Sequence, residues 1–248
     1  MVEGLPTLRA LAASPPQAAG YLIDLDGTLV SGSRILPGAI EFLDRLPGPY
    51  VIVSNDSEHV GSDVSRLFAR HGVWMDSARI VLAGVAAVES IAARSPGAGV
   101  MLLGSAQLAA YAMERGLVLD SRQADIVLVA RDRGFTFDKL AAAARAVHFG
   151  ARVVVACPDY SHPGHDGEPI PEAGALAAAL LACAGQQSYE VIGKPEAMLF
   201  TLGCQRLGIP ASRCVMIGDN PLTDGVGARR AGVEFCQVAA VGVESPAD

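Results

Sequence analysis

The sequence predicts an α/β fold: a Rossmann-like parallel-sheet core with a smaller inserted α/β domain. Short apolar runs rich in Val, Ile and Leu recur along all 248 residues, each closed by polar or turn residues. Stretches of helical length separate many of them, the alternation expected of parallel sheets. The runs are apolar along nearly their whole length, as strands covered on both faces are.

Taken in order, YLIDLD (21–26) is the first strand and carries Asp24 and Asp26 two places apart. Strand alternation puts two such carboxylates on one face, where their mutual repulsion and desolvation must be offset. The helix GAIEFLDRL leads to YVIVSND (50–56), which ends in Ser54, Asn55 and Asp56. The helix EHVGSDVSRLFARHG leads to RIVLAG (79–84), then come GVMLLGS (99–105) and DIVLVARD (125–132). DKLAAAARAVHFG is the helix before ARVVVACPD (151–159), and GALAAALLACAG the helix before YEVIGK (189–194), which ends in Lys194. The helix PEAMLFTLGCQRLG precedes CVMIGD (214–219), followed by Asn220. GVGARRAG (225–232) has the wrong spacing for a dinucleotide fingerprint and reads as a helix with its C-terminal cap, before EFCQVA (234–239). Glycine and proline punctuation sets boundaries near Gly84 and near 185–188. The core is then 1–83 with 187–248, and the insertion 84–186.

A net charge of −7 with no basic stripe argues against nucleic acid as a partner. No apolar run approaches the roughly 20 residues of a membrane helix. The first residues, with Glu3 and the Pro15–Pro16 pair, do not resemble a secretory signal. The five cysteines are scattered without CxxC spacing, so a reduced, cytoplasmic protein is expected.

Parallel α/β sheets bind ligands at the carboxyl ends of their strands. A single sheet would gather Asp24 and Asp26, Ser54 and Asn55, Lys194, and Asp219 at that edge. These residue types match the needs of phosphoryl transfer. One carboxylate suits a nucleophile and a second a general acid/base. Asp219 completes an oxygen-rich site suited to Mg²⁺. Lys194 supplies a fixed cation, and Ser54 donates hydrogen bonds to phosphoryl oxygens. A lone DxD is a weak signal; the set, in this order and at strand ends, is a strong one.

Asp24-Leu25-Asp26-Gly27-Thr28, Ser54-Asn55, Gly193-Lys194-Pro195 and Gly218-Asp219-Asn220-Pro221-Leu222-Thr223-Asp224 together resemble the motifs of the haloacid dehalogenase superfamily. The likeness is strongest to subfamily IIA, the branch of NagD, 4-nitrophenylphosphatase, phosphoglycolate phosphatase and pyridoxal phosphatase. It runs from about Gly20 to Gly242. The resemblance implies that Asp24 is the nucleophile, Asp26 the acid/base, and Thr28, Ser54 and Asn55 substrate-binding residues. It implies Mg²⁺ held by Asp24, the main-chain carbonyl of Asp26, and Asp219, with Asp224 supporting the metal's water shell or Lys194. It also implies a cap inserted after the second motif, a small phosphorylated metabolite as substrate, and a homodimer.

Two departures stand out. Cys157 precedes Pro158-Asp159 where the family usually has Asn or a similar residue, and Glu172 occupies a glycine position of the family's PGxG turn. Glu172 has two readings, a specificity element facing the leaving group or an N-terminal cap for the Ala-rich helix. His162 and His165 flank Pro-Gly, which favours a loop over a metal pair; His162 is expected to contact substrate. The expected activity is a Mg²⁺-dependent phosphomonoesterase. The alternative from another class is a catalytically idle relative that binds a phosphorylated metabolite and regulates a partner.

Overall fold

The computed structural model describes residues 4–119, 123–164, 168–185 and 188–239; His165 lies outside them. The chain forms two compact units, one of residues 1–54, 62–81 and 194–248 and the other of 55–61 and 82–193.

The first unit is built on a five-stranded sheet in the order Glu234–Gln237, Cys214–Gly218, Gly20–Ile23, Tyr50–Ser54, Ile80–Leu82. The central pairs are parallel, with Leu22 opposite Met216 on one side and Val51 on the other. Tyr21, Leu22, Ile23, Ile52 and Val53 are fully buried, as their unbroken apolar runs require. Helix Met198–Leu207 packs close because Gly203 has no side chain; a Cβ there would lie 2.7 Å from Leu22 Cδ2. As expected, the GVGARRAG segment is helical over Val226–Ala231 and stops at Gly232 with φ +72°.

The second unit carries its own five-stranded sheet, ordered Glu190–Val191, Arg152–Val155, Ile126–Val129, Gly99–Leu103, Val118–Leu119, with parallel pairing throughout. Met101, Leu103, Val127, Val129, Val153, Val155 and Leu180 form its core. Helix Phe137–His148 begins where Thr136 Oγ1 accepts from Lys139 N–H, and the charge-free helix Ala173–Ala184 ends at Gly185 with φ +68°.

Three features differ from the sequence reading. The first strand stops at Ile23: Asp24 N–H still donates to Ile217, but Gly27 at φ +83° turns the chain and its N–H donates to Val30. Alternation therefore no longer governs the DxD pair, and Asp24 is buried while Asp26 is exposed. The short strand before Lys194 joins the second unit's sheet through Arg152–Val155, so Lys194 does not stand at the end of a core strand. Gly84 marks no turn. It lies inside helix Ala83–Arg94, where a Cβ would come within 3.0 Å of the Ser57 backbone.

Candidate active site

Three neighbouring parallel strands of the first unit deliver Asp24, Ser54 and Asp219 to one sheet edge. Asp24 and Asp219 each follow the last strand residue, and Ser54 is the last residue of its strand. Two glycines permit the crowding. A Cβ on Gly27 would lie 2.6 Å from Asp219 Oδ2, and one on Gly218 would lie 2.2 Å from Asp224 Oδ2. After Asp219 the chain coils tightly over Pro221–Gly225 with i to i+5 geometry, a rarity that often marks functional sites. Asn220 starts this coil by accepting from Leu222 N–H at 2.9 Å, and its carbonyl accepts from Asp224 N–H at 2.8 Å. The coil places Asp224, fully buried, beneath the cluster.

Lys194 fills the centre. Its ammonium donates to Asp24 Oδ1 at 2.5 Å, Asp224 Oδ1 at 2.7 Å and the Val53 carbonyl at 3.2 Å, engaging the three donors an ammonium has. Burial alone would lower the lysine pKa, but Asp224 and Asp24 outweigh it and hold the group above its ordinary value, so it stays charged. Asp224 is pushed up to about 7, first by burial and then by the charge of Asp24, with Lys194 opposing. Asp219 is raised for the same two reasons, burial and Asp24. Thr28 Oγ1 lies between the acids, 3.5 Å from Asp24 Oδ2 and 3.4 Å from Asp219 Oδ1.

Two carboxylates thus share one ammonium while a third, Asp219, stands beside them, and one oxygen of each of Asp24, Asp219 and Asp224 lies within 4.8 Å of the others. An all-oxygen, net-anionic donor set of this kind fits Mg²⁺. Both oxygens of Asp224 are engaged, Oδ1 by Lys194 and Oδ2 by Asn220 N–H at 3.3 Å. Asp24 Oδ2 and Asp219 Oδ1 instead face the Thr28 hydroxyl at 3.5 and 3.4 Å, so Asp24 and Asp219 are the carboxylates best placed for a cation.

The structure brings together Asp24, Thr28, Lys194, Asp219 and Asp224 through direct contacts. Ser54 is buried at the same sheet edge, and the exposed carboxylate of Asp26 is not among the three clustered acids. Asn55, Glu172 and His162 belong to the second unit. There the Asn55 amide donates to Asp159 Oδ2 at 2.8 Å, and the Cys157 thiol donates to the same oxygen at 3.1 Å. Glu172 sits at the N-cap of helix Ala173–Ala184 but makes no side-chain capping bond. Its Oε1 instead lies 2.7 Å from His162 Nδ1 and 3.3 Å from an Arg131 terminal nitrogen.

Arg131 and Glu58 were not singled out by sequence. The available signal was the charged cluster RDR directly after an apolar strand. Gln237 was also missed; its side-chain amide donates to the Asp219 carbonyl at 3.2 Å and fixes the backbone that carries that acid.

Fold and site define a hydrolase of the haloacid dehalogenase class. A family model for haloacid dehalogenase-like hydrolases matches residues 19–232, and the chain belongs to that family. It is 31% identical over 218 residues to the 5'-nucleotidase YutF of Bacillus subtilis, covering 87% of this chain and 84% of that one. It is also 31% identical to an acid sugar phosphatase of Staphylococcus aureus, covering 90% and 86%. Among solved structures, a 4-nitrophenylphosphatase from Thermotoga maritima aligns with a TM-score of 0.84 at 26% identity, over 93% of this chain and 88% of that one. NagD from E. coli, at 24% identity and a TM-score of 0.79 over 94% of each chain, shares the fold. These likenesses place the chain in the NagD and 4-nitrophenylphosphatase branch, subfamily IIA. Among the described residues no helix is long and apolar enough to cross a membrane.

Proposed function

We propose that the protein is a Mg²⁺-dependent phosphatase that hydrolyses a small-metabolite phosphomonoester through an aspartyl-phosphate on Asp24. The observation that carries this reading is the pairing of Asp24 with the buried ammonium of Lys194 beside Asp219. That pairing sets a nucleophilic oxygen against a fixed cation at the edge where a parallel sheet meets its ligand.

An Asp24 oxygen attacks phosphorus, and the bond from phosphorus to the leaving oxygen breaks. Asp26 gives its proton to that oxygen. Its exposure allows exchange with solvent, which a general acid/base must manage in each cycle. Asp26 then takes a proton from water as the water oxygen attacks phosphorus, releasing phosphate and restoring the Asp24 carboxylate. Thr28 and Ser54 orient phosphoryl oxygens, and Lys194 offsets their charge. Asp24, Asp219 and the Asp26 carbonyl would hold Mg²⁺, which supplies charge neutralisation for the phosphoryl group. Asp224 fixes Lys194. The insertion is assigned the choice of organic group, with Asn55, His162 and Glu172 as its recognition residues. The names of the relatives support phosphate monoesters as the substrate class.

The test is hydrolysis of 4-nitrophenyl phosphate by purified protein in Mg²⁺ and in EDTA, beside Asp24→Asn. Metal-dependent release that disappears in the variant is the expected result. Full activity of Asp24→Asn would overturn the nucleophile assignment. Absence of turnover on any phosphomonoester, with metabolite binding retained, would favour the idle relative.

A further inference from the structure

We propose that Gln237 is a positioning residue for the cation: by holding the main chain of Asp219 it presents that carboxylate to Mg²⁺. This deepens the phosphatase reading above and rests on its Mg²⁺ assignment.

Every residue concerned belongs to the first unit. Strand Glu234–Gln237 is an edge strand and pairs in parallel with Cys214–Gly218, so that Gln237 stands opposite Gly218. Carbonyls along Cys214–Gly218 turn alternately to its two neighbours. That of Ile217 accepts from Asp24 N–H at 2.9 Å on one side, and that of Gly218 from Val238 N–H at 3.0 Å on the other. At Asp219 the chain bends out of the strand, and its carbonyl accepts from a side chain, the Gln237 amide, at 3.2 Å. The main chain beyond Val238 is committed elsewhere, since Ala239 N–H donates to the Pro6 carbonyl at 2.9 Å.

Phe235 and Gln237 are two residues apart on one strand and therefore share a face. A Cβ on Gly225 would lie 3.0 Å from the Phe235 ring. Phe235 thus packs against the far end of segment 219–225, and Gln237 ties down its near end. A half-buried glutamine on an edge strand could leave its amide to water; here the amide is spent on the residue that carries a cation ligand.

Asp219 has need of such a tie. Lys194 holds Asp24 and Asp224 directly, at 2.5 and 2.7 Å, whereas the Asp219 carboxylate is steadied by Thr28 Oγ1 at the longer distance of 3.4 Å. Its room is narrow, because a Cβ on Gly27 would already lie 2.6 Å from Oδ2. An aspartate has only two side-chain torsions, so a shift of its own peptide displaces its oxygens directly. Groups that orient a metal ligand in this way typically cost 10- to 100-fold in metal affinity when they are lost.

The test is the Mg²⁺ dissociation constant of the purified protein without substrate, measured by calorimetric titration. Gln237→Met keeps the length of the side chain and removes the donor. It should bind Mg²⁺ about tenfold more weakly than wild type. The Mg²⁺ concentration for half-maximal hydrolysis of 4-nitrophenyl phosphate should rise by the same factor. A merely structural role would lower the melting temperature of the metal-free protein and leave the affinity alone. Gln237→Asn, which keeps the amide but withdraws it by one methylene, should show the same weakening and serves if the first variant does not fold. Wild-type Mg²⁺ affinity in a folded variant would overturn the inference while leaving the phosphatase intact. Wild-type protein that binds no Mg²⁺ would overturn the Mg²⁺-dependent reading and the inference together.

Discussion

Lys194 Nζ lies 2.7 Å from Asp224 Oδ1, inside a site where the lysine is 3% exposed and the aspartate fully buried. The same ammonium holds Asp24 at 2.5 Å, so one cation stabilises two buried carboxylates at once. Such a group is structural as well as electrostatic, because its removal leaves like charges facing each other out of water.

Replacing Lys194 by Met should therefore destabilise the protein by about 3–5 kcal/mol, the usual cost of orphaning a buried charge, and abolish turnover. Denaturant titration measures the first effect. Combining Lys194→Met with Asp224→Asn should recover part of the stability but none of the activity. A double variant no more stable than the single one would mean that the pair is not coupled.

Burial first, and then the charge of Asp24, raise the pKa values of Asp219 and Asp224, so Asp24 repels both of these acids. Mg²⁺ at about a hundred times its dissociation constant should stabilise the folded chain by about 2.7 kcal/mol and raise Tm. Asp219→Asn should remove most of that increment. Differential scanning fluorimetry with and without Mg²⁺ reads it directly, independently of catalysis.

Gly174 lies in the first turn of helix Ala173–Ala184, in a space only hydrogen can occupy. A Cβ there would lie 2.2 Å from the Pro158 carbonyl oxygen and 2.6 Å from that of Asp159. Backbone oxygens cannot step aside as a flexible side chain can. Gly174→Ala should cost about 1–3 kcal/mol despite the helix preference of alanine. A melting temperature at or above wild type would refute this packing account.

Glu172 should leave a pH signature in stability. Its folded pKa, about 7, stands above the ordinary glutamate value of 4.5, chiefly through burial, so the folded state binds its proton more tightly than the unfolded chain does. The associated stability is complete below about pH 4.5 and is lost as pH rises through 7. Glu172→Gln should be less sensitive to pH across that window, and the two stability profiles should diverge by about 1–3 kcal/mol between pH 5 and pH 8. Comparing variant with wild type isolates Glu172 from Asp219 and Asp224, whose pKa values are raised as well.

Much of the fold was legible because apolar runs and turn residues are local signals. Each run singled out as a strand contains one, from Gly20–Ile23 to Glu234–Gln237. The short antiparallel pair Ser161–Pro163 with Pro169–Pro171 was not legible, since prolines and few apolar residues carry no strand pattern. The two-residue strand Val118–Leu119 is too short to show a period.

The sequence by itself determined which residues meet at the sheet edge: Asp24, Thr28, Lys194, Asp219 and Asp224 stand in recognisable motifs, and glycines placed beside them permit their contacts. Tertiary structure alone decided how they meet. A strand of two residues, Glu190–Val191, joins whichever sheet offers a partner, and it pairs with Arg152–Val155; Lys194 consequently reaches Asp24 from a returning segment rather than from a core strand. Asp26 departs from its expected face because Gly27 turns the chain before alternation can act. The pairing of Arg131 with Glu58 and Glu172 joins segments distant in sequence. Periodicity fixes which way a side chain points along its own element, while ion pairs between elements depend on long-range packing that no local pattern encodes.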